Sequence, residues 1–203
     1  LNTTGLYNAA LGYMALSFNS TGGSNSAFGS FALYSNTTGI DNTAVGITAL
    51  NQNLIGNNNT AIGSKALYYN IAGNNTAIGA ESMENNSSGT LNTAVGYRSM
   101  EDNTSGSNNT AIGENALANN TNASNNTAVG ASALLSNSTG SSNTALGSAA
   151  LKVNTFGTKN TAIGTSTLSS NTSGSENTAL GYNALAANTS SHGNVAIGAY
   201  ALQ

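Results

Sequence analysis

Two carboxylates form the one constellation in this sequence with a catalytic geometry to weigh. Glu84 and Glu101 stand seventeen residues apart, with Asp102 beside the second. In a chain that repeats every seventeen residues such neighbours stack about 5 Å apart, which is the carboxyl separation of a retaining glycosidase. No insertion that could build a cleft accompanies them. The better reading is a solvated acidic patch, at most an adventitious cation site, and no catalytic, metal or cofactor residue is assigned. Calcium-binding β-roll repeats carry aspartate in every coil, whereas this chain has only Asp41 and Asp102. His192, the single histidine, lies among Ser and Gly and reads as a loop residue. Tyr13, Tyr97 and Tyr182 share a repeat position but are too scattered for a sugar-stacking platform. The chain is therefore read as not an enzyme.

A second chemistry is suggested by asparagine followed two residues later by Ser or Thr, the acceptor pattern for N-glycosylation. It occurs at Asn2, Asn19, Asn36, Asn86, Asn103, Asn137, Asn171 and Asn188, all at one repeat position, and also at Asn58, Asn74, Asn85, Asn108, Asn119, Asn122 and Asn125. The eight in register are the candidate acceptors. An Asn/Thr-rich turn also generates such triplets by chance, and the same amides can be occupied in ladders.

What positions these residues is a repeat. The glycine of the phrase Asn-Thr-Ala-Ile-Gly recurs at Gly12, Gly29, Gly46, Gly63, Gly79, Gly96, Gly113, Gly130, Gly147, Gly164, Gly181 and Gly198, in steps of seventeen with a single step of sixteen. In register the unit reads N-T-A-[ILV]-G-x-x-A-[LM]-x-x-N-[TS]-x-G-x-x. Periodicity this strict means one structural unit stacked on copies of itself. Thr43-Ala44-Val45 alternates about a β-branched centre, and Ala49-Leu50 is too short for a helix before Asn53 opens a polar turn. The unit thus predicts two short strands per coil and an all-β parallel solenoid, a β-roll of about twelve coils. Glycine after the first strand and again at the fifteenth position, Gly73 among the latter, is expected to supply positive-φ corners. The short coil is expected to lose its residue just after Gly73. Lys65, Glu81 and Arg98 share position seven in consecutive coils, and Lys159 and Glu176 share position seventeen, so opposite charges meet in register. The asparagines of positions one and twelve predict amide ladders.

Composition agrees with an ordered repeat. Only 5% of the 203 residues are charged, the net charge is -3, and there are 24 glycines but no proline, cysteine or tryptophan. Disordered chains pair low hydrophobicity with high net charge. So few basic residues exclude nucleic acid as the expected partner, and no apolar run approaches the roughly 18 residues of a membrane span. Residues 1–203 read as a single repeat domain. Both ends fall inside a repeat, at Asn2-Thr3-Thr4-Gly5 and at Ala201-Leu202-Gln203, so a fragment of a longer solenoid and end-to-end continuation into a filament are expected.

Position three is alanine in every coil, while positions four and nine are always large and apolar. Adjacent strand residues point to opposite faces, so one of each pair must turn away from the coil interior. The expectation is that the large residues, among them Ile62, Leu67, Ile78, Met83, Ile112, Leu117, Ile163 and Leu168, form an assembly interface with other copies, or else the sole core of a single-chain shaft.

Asn194-Val195-Ala196-Ile197-Gly198 resembles the head repeat of trimeric autotransporter adhesins, and Asn36-Thr37-Thr38-Gly39-Ile40-Asp41-Asn42-Thr43-Ala44-Val45-Gly46 is similar to repeats of phage-type tail fibres and bacterial surface proteins. The resemblance covers nearly the whole chain. It implies a left-handed parallel β-roll assembled as a homotrimer, at a cell or virion surface, with a host-surface glycan or receptor as partner. The repeat is longer than the usual adhesin-head unit, and neither membrane anchor nor chaperone domain is seen in this sequence. The functional expectation is an extracellular structural fibre or adhesin shaft for display or attachment. The alternative is ordered-surface binding, to ice or a glycan, by the column Thr43, Thr60, Thr76, Thr93, Thr110, Thr127, Thr144, Thr161 and Thr178.

Overall fold

A computed structural model describes residues 2–203. Twelve strands of three residues, from β1 (Ala9–Leu11) to β12 (Val195–Ile197), lie in chain order in one parallel sheet, one strand per coil. Equivalent residues pair directly, Thr43 with Thr60 and Ala44 with Ala61. The chain is the β-solenoid that the repeat predicts, with no helix among the described residues.

The second predicted strand is absent. Residues six to eleven of each coil are turn residues that still hydrogen-bond from coil to coil, as in Leu33 N to Ala49 O at 2.9 Å and Ser35 N to Asn51 O at 2.9 Å. Their backbone is left-handed at positions seven and nine, with φ of 56° at Thr48 and 52° at Leu50. A pleated strand would send adjacent side chains to opposite faces, but here Ala49 and Leu50 both turn inward and are fully buried. The left-handed residue costs roughly 1–2 kcal/mol, and burying a leucine returns about 1.5–3 kcal/mol.

Leu67, Met83, Leu117 and Leu168, expected either at an assembly interface or in the core of a single-chain shaft, lie in the chain's own interior, each 0% exposed. Ile62, Ile78, Ile112 and Ile163 do face outward. The columns of positions four and nine separate because only the first sits on a pleated strand. Inside the coil are the alanines of positions three and eight, the Leu or Met of position nine, and two columns of asparagine.

Those asparagines do different work. At position twelve they form the expected ladder: Asn103 Nδ2 donates to Asn86 Oδ1 at 2.6 Å, and Asn120 Nδ2 donates to Asn103 Oδ1 at 2.6 Å. At position one the carboxamide also bonds backbone, with Asn42 Nδ2 donating to Gly56 O at 2.8 Å and the Asn59 amide donating to Asn42 Oδ1 at 3.0 Å. The expected side-chain rungs form there in some coils, as from Asn42 Nδ2 to Asn25 Oδ1 at 3.1 Å and from Asn160 Nδ2 to Asn143 Oδ1 at 3.1 Å. Since Asn53 Nδ2 also donates to Gly56 O, at 3.0 Å, one carbonyl of position fifteen ties together both ends of the turn.

Glycine is required for two distinct reasons. Gly113 has φ of 132°, a region nearly closed to other residues, and a Cβ there would lie 2.7 Å from Gly130 O. Position fifteen does not use positive φ, contrary to expectation. At Gly106 a Cβ would meet Ala123 O and come within 2.6 Å of Asn103 Oδ1, so the residue is small because coils approach closely. Alanine fills that place at Ala123, which makes the fit tight but not absolute.

The short coil, residues 59–74, also departs from expectation. Asn70 Nδ2 donates to Ala72 O at 2.7 Å, two residues on, whereas Asn86 reaches Gly89 O, three residues on, at 3.0 Å. The missing residue therefore falls between Asn70 and Ala72, and Ala72 rather than Gly73 occupies position fifteen. Strand pairing is undisturbed, with Thr60 opposite Thr76. The ladder is not: Asn53 Oδ1 is buried without a partner.

This difference is measurable. Asn103→Ala leaves the buried Asn86 Oδ1 without its donor and should destabilise the flanking coils by about 1–3 kcal/mol. It also takes from Asn120 Nδ2 the acceptor at 2.6 Å. Asn53→Ala likewise strips the buried Asn36 Oδ1 of its donor but removes an acceptor that no neighbour uses, so it should cost less by that one rung. Hydrogen exchange of the flanking amides in the two variants compares them, and equal effects would show that the rung from Asn120 to Asn103 adds nothing to stability.

Candidate functional site

The charged residues of coils four to six gather on one outer face. Glu81, Glu84 and Glu101 each bring a carboxylate oxygen within 4.8 Å of the others, the spacing that register predicts for Glu84 and Glu101. They are not left to repel. Arg98 Nε lies 2.7 Å from Glu81 Oε2 and 3.7 Å from Glu101 Oε2, and its guanidinium sits 5.1 Å from the Tyr97 ring centre. Lys65 Nζ reaches Glu84 at 3.3 Å, not Glu81, its neighbour in the position-seven column. Asp102 accepts from Asn85 Nδ2 at 2.9 Å. Farther along, Lys159 meets Glu176 at 3.2 Å as the register requires.

The electrostatics of the two arginine partners differ in sign. The Arg98 guanidinium hydrogen-bonded to Glu81 holds that carboxyl below its usual range, against partial burial. Burial pushes Glu101 up, opposed by Arg98 and reinforced by Asp102, Glu81 and Glu84. The carboxyl separation suits retaining glycoside hydrolysis, but no cavity adjoins it among the described residues. What the cluster does is pair charges across three coils.

Six of the eight acceptor asparagines selected from the sequence lie in the coil interior. Asn19, Asn36, Asn86, Asn103, Asn137 and Asn171 are fully buried, with Nδ2 committed to carbonyl acceptors as in Asn36 to Gly39 O at 3.0 Å. Asn2 is exposed and Asn188 half-buried, yet both enter the same ladder. A glycan on the buried amides would displace the interior. His192 is a loop residue with a role: its Nδ1 accepts the Ser175 amide at 3.0 Å. Ser107 and Ser124 act likewise at the same position, accepting the amides of Thr90 and Ser107 at 3.0 Å. The scatter of residue types in that column hid it from sequence reading.

The sheet's outer face is uniform. Position two and position four point outward together, threonine beside a large aliphatic residue, from β3 (Thr43–Val45) to β11 (Thr178–Leu180). Phe28, Ile62, Ile78, Ile112 and Ile163 are exposed, and Val45, Val95, Val129 and Leu146 are half-buried. Thr37 and Thr104 at position thirteen bond carbonyls of the next coil at 2.8 and 2.7 Å. The nine position-two hydroxyls have no partner within the described chain. No helix among the described residues is long and apolar enough to cross a membrane.

The pH dependence of the charged cluster follows from the opposed shifts. A carboxyl raised on folding holds its proton to higher pH than in the unfolded chain, so its contribution is lost as pH rises through the folded value. Glu101→Gln should therefore stabilise slightly at neutral pH, an advantage that vanishes below about pH 4, near the unfolded value. Glu81 is lowered, and its contribution is present above the unfolded value and lost as pH falls through the folded one. Glu81→Gln should thus destabilise at neutral pH and converge with the parent in acid. Thermal unfolding from pH 3 to 7 reads both, and the same sign for the two variants would refute the assignment.

No protein-family pattern, curated protein or solved structure matches this chain.

Proposed function

We propose that the chain is a structural shaft of an extracellular fibre or adhesin, outside a cell or on a virion surface, whose work is length, rigidity and display. It acts without catalysis, and copies associate side by side through the outer sheet face into a homotrimer around the long axis. The observation that carries this reading is the apolar column of position four, present in every coil and exposed or half-buried on the outer sheet face. At about 4.8 Å per strand and three residues of width, the twelve-stranded strip measures roughly 55 by 10 Å, about 500 Å². That matches the largest patch on a typical monomer, which is often functional. It falls short of the roughly 800 Å² per partner of a standard interface. The adjoining exposed residues of position six, Ile47, Tyr97 and Tyr182, therefore extend the contact. Three copies about one axis close the assembly.

A second reading has its own support in the unpartnered threonine hydroxyls. A flat column of nine, each beside a methyl-bearing neighbour, suits binding to an ordered surface such as ice or a glycan array. The two readings compete for the same face, because burying it against another copy would require those hydroxyls to bond across the seam.

Substitution separates the cases. The parent protein should sediment as an oligomer. Ile112→Asp, on an outward residue 41% exposed, should release still-folded β-rich chains, whereas Leu117→Asp, at 0% exposed, should unfold the neighbouring coils, since a buried unpaired carboxylate costs several kcal/mol. A monomeric parent would overturn the assembly reading, and thermal hysteresis or ice-recrystallisation inhibition by that monomer would establish the second.

A further inference from the structure

Each coil enters its strand through a corner at position seventeen, and at that corner the backbone is left-handed. In four coils the corner residue is asparagine, which tolerates this conformation well: Asn58, Asn74, Asn108 and Asn125, with φ of 57°, 62°, 58° and 62°. The backbone there is fixed, Asn58 N donating to Ile40 O at 3.0 Å and Asn108 N to Thr90 O at 3.1 Å. All four side chains are exposed, and none of the four carboxamides has a partner among the described residues. Two residues on stand Thr60, Thr76, Thr110 and Thr127, whose hydroxyls are equally unpartnered. The residue between them, such as Asn59 or Asn109, is the buried position-one asparagine that anchors the turn.

The contrast with position twelve decides which triplets can react. Asn36 and its equivalents satisfy the same sequence rule but spend Nδ2 inside the coil. At position seventeen both chemical requirements, a free acceptor amide and a free hydroxyl two residues later, are met on a rigid exposed corner.

We propose that Asn58, Asn74, Asn108 and Asn125 are acceptor sites for an N-linked sugar, taken from a donor whose anomeric carbon carries a diphosphate leaving group. The carboxamide nitrogen attacks the anomeric carbon. A nitrogen–carbon bond forms as the carbon–oxygen bond to the diphosphate breaks, the diphosphate leaves with the electron pair, and the amide proton passes to a base of the transferase. Oxidation states do not change. Asn58 and Asn74 lie on adjacent coils, as do Asn108 and Asn125, about 4.8 Å apart, too close for two sugar rings side by side. Each pair therefore accepts one sugar. The proposal stands whether or not the sheet faces associate.

The test uses the folded chain with a soluble N-glycosyltransferase and a nucleoside-diphosphate hexose, the transferase being one that modifies the isolated peptide 55–62. A parallel arm passes the chain through a secretory host that uses a lipid-diphosphate donor, and analyses the soluble folded product. Peptide mapping should find one hexose or glycan on each pair in at least one arm, the arm naming the donor, and none on Asn36, Asn86, Asn103, Asn137 or Asn171. The combined change Asn58→Gln, Asn74→Gln, Asn108→Gln and Asn125→Gln should abolish the added mass with the β-rich circular dichroism spectrum unchanged. Unmodified corner asparagines in both arms, or sugar on position-twelve asparagines of a chain that keeps its fold, would overturn the proposal.

Discussion

The carbonyl at position fifteen, taken by two side-chain amides at once, is the interaction on which the coil depends. The interior of a seventeen-residue coil holds one leucine or methionine beside small side chains, so its apolar core is thin. Closing the turn by Asn42 and Asn53 on Gly56 O lets polar groups do what bulk apolar volume does elsewhere. The same asparagines then reach up and down the stack, so closing one coil and joining it to the next are one network. In a low-dielectric interior such bonds strengthen, and an unmade one is costly. That is why position one and position twelve admit so little variation while positions six, seven, ten and eleven vary freely.

Much of this was legible because glycine and asparagine are read by what only they can do. Gly12 to Gly198 marked the stack and its register, and the pairing of Thr43 with Thr60 follows from that step alone. Asn36, Asn86 and their equivalents were legible as a ladder, and with that came the caution that a sequence acceptor can be structurally spent. Less visible was Leu50. A leucine in left-handed conformation carries no propensity signal, so Ala49-Leu50 read as a strand, and positions four and nine were expected to share one fate, at an interface or in the core. Two adjacent inward side chains cannot be inferred from period two. Gly73 misled for the opposite reason, since a glycine near the expected place drew the deletion toward itself while Ala72 did glycine's work.

The candidate sites divide on the same line. Glu84 and Glu101 were located correctly by register, because spacing in a solenoid is set by the stack and not by side-chain detail. What register could not supply was the company they keep: Arg98 serving two carboxylates, and Lys65 choosing Glu84 over Glu81. Likewise the outer pairing of threonine with an aliphatic residue follows from alternation, but the idleness of those hydroxyls emerges only beside threonines such as Thr37 and Thr104, which find carbonyls of the next coil.

A shaft is finally a mechanical object, and the unmatched Asn53 Oδ1 bears on how it would fail. Tension along the stack passes from coil to coil through backbone bonds and side-chain rungs acting in parallel. Between the coil that begins at Asn42 and the one that begins at Asn59 the position-twelve rung is missing, so the same load is shared among fewer bonds. Under strain the shaft would yield first at that level, parting into two stretches whose position-twelve ladders remain whole on either side.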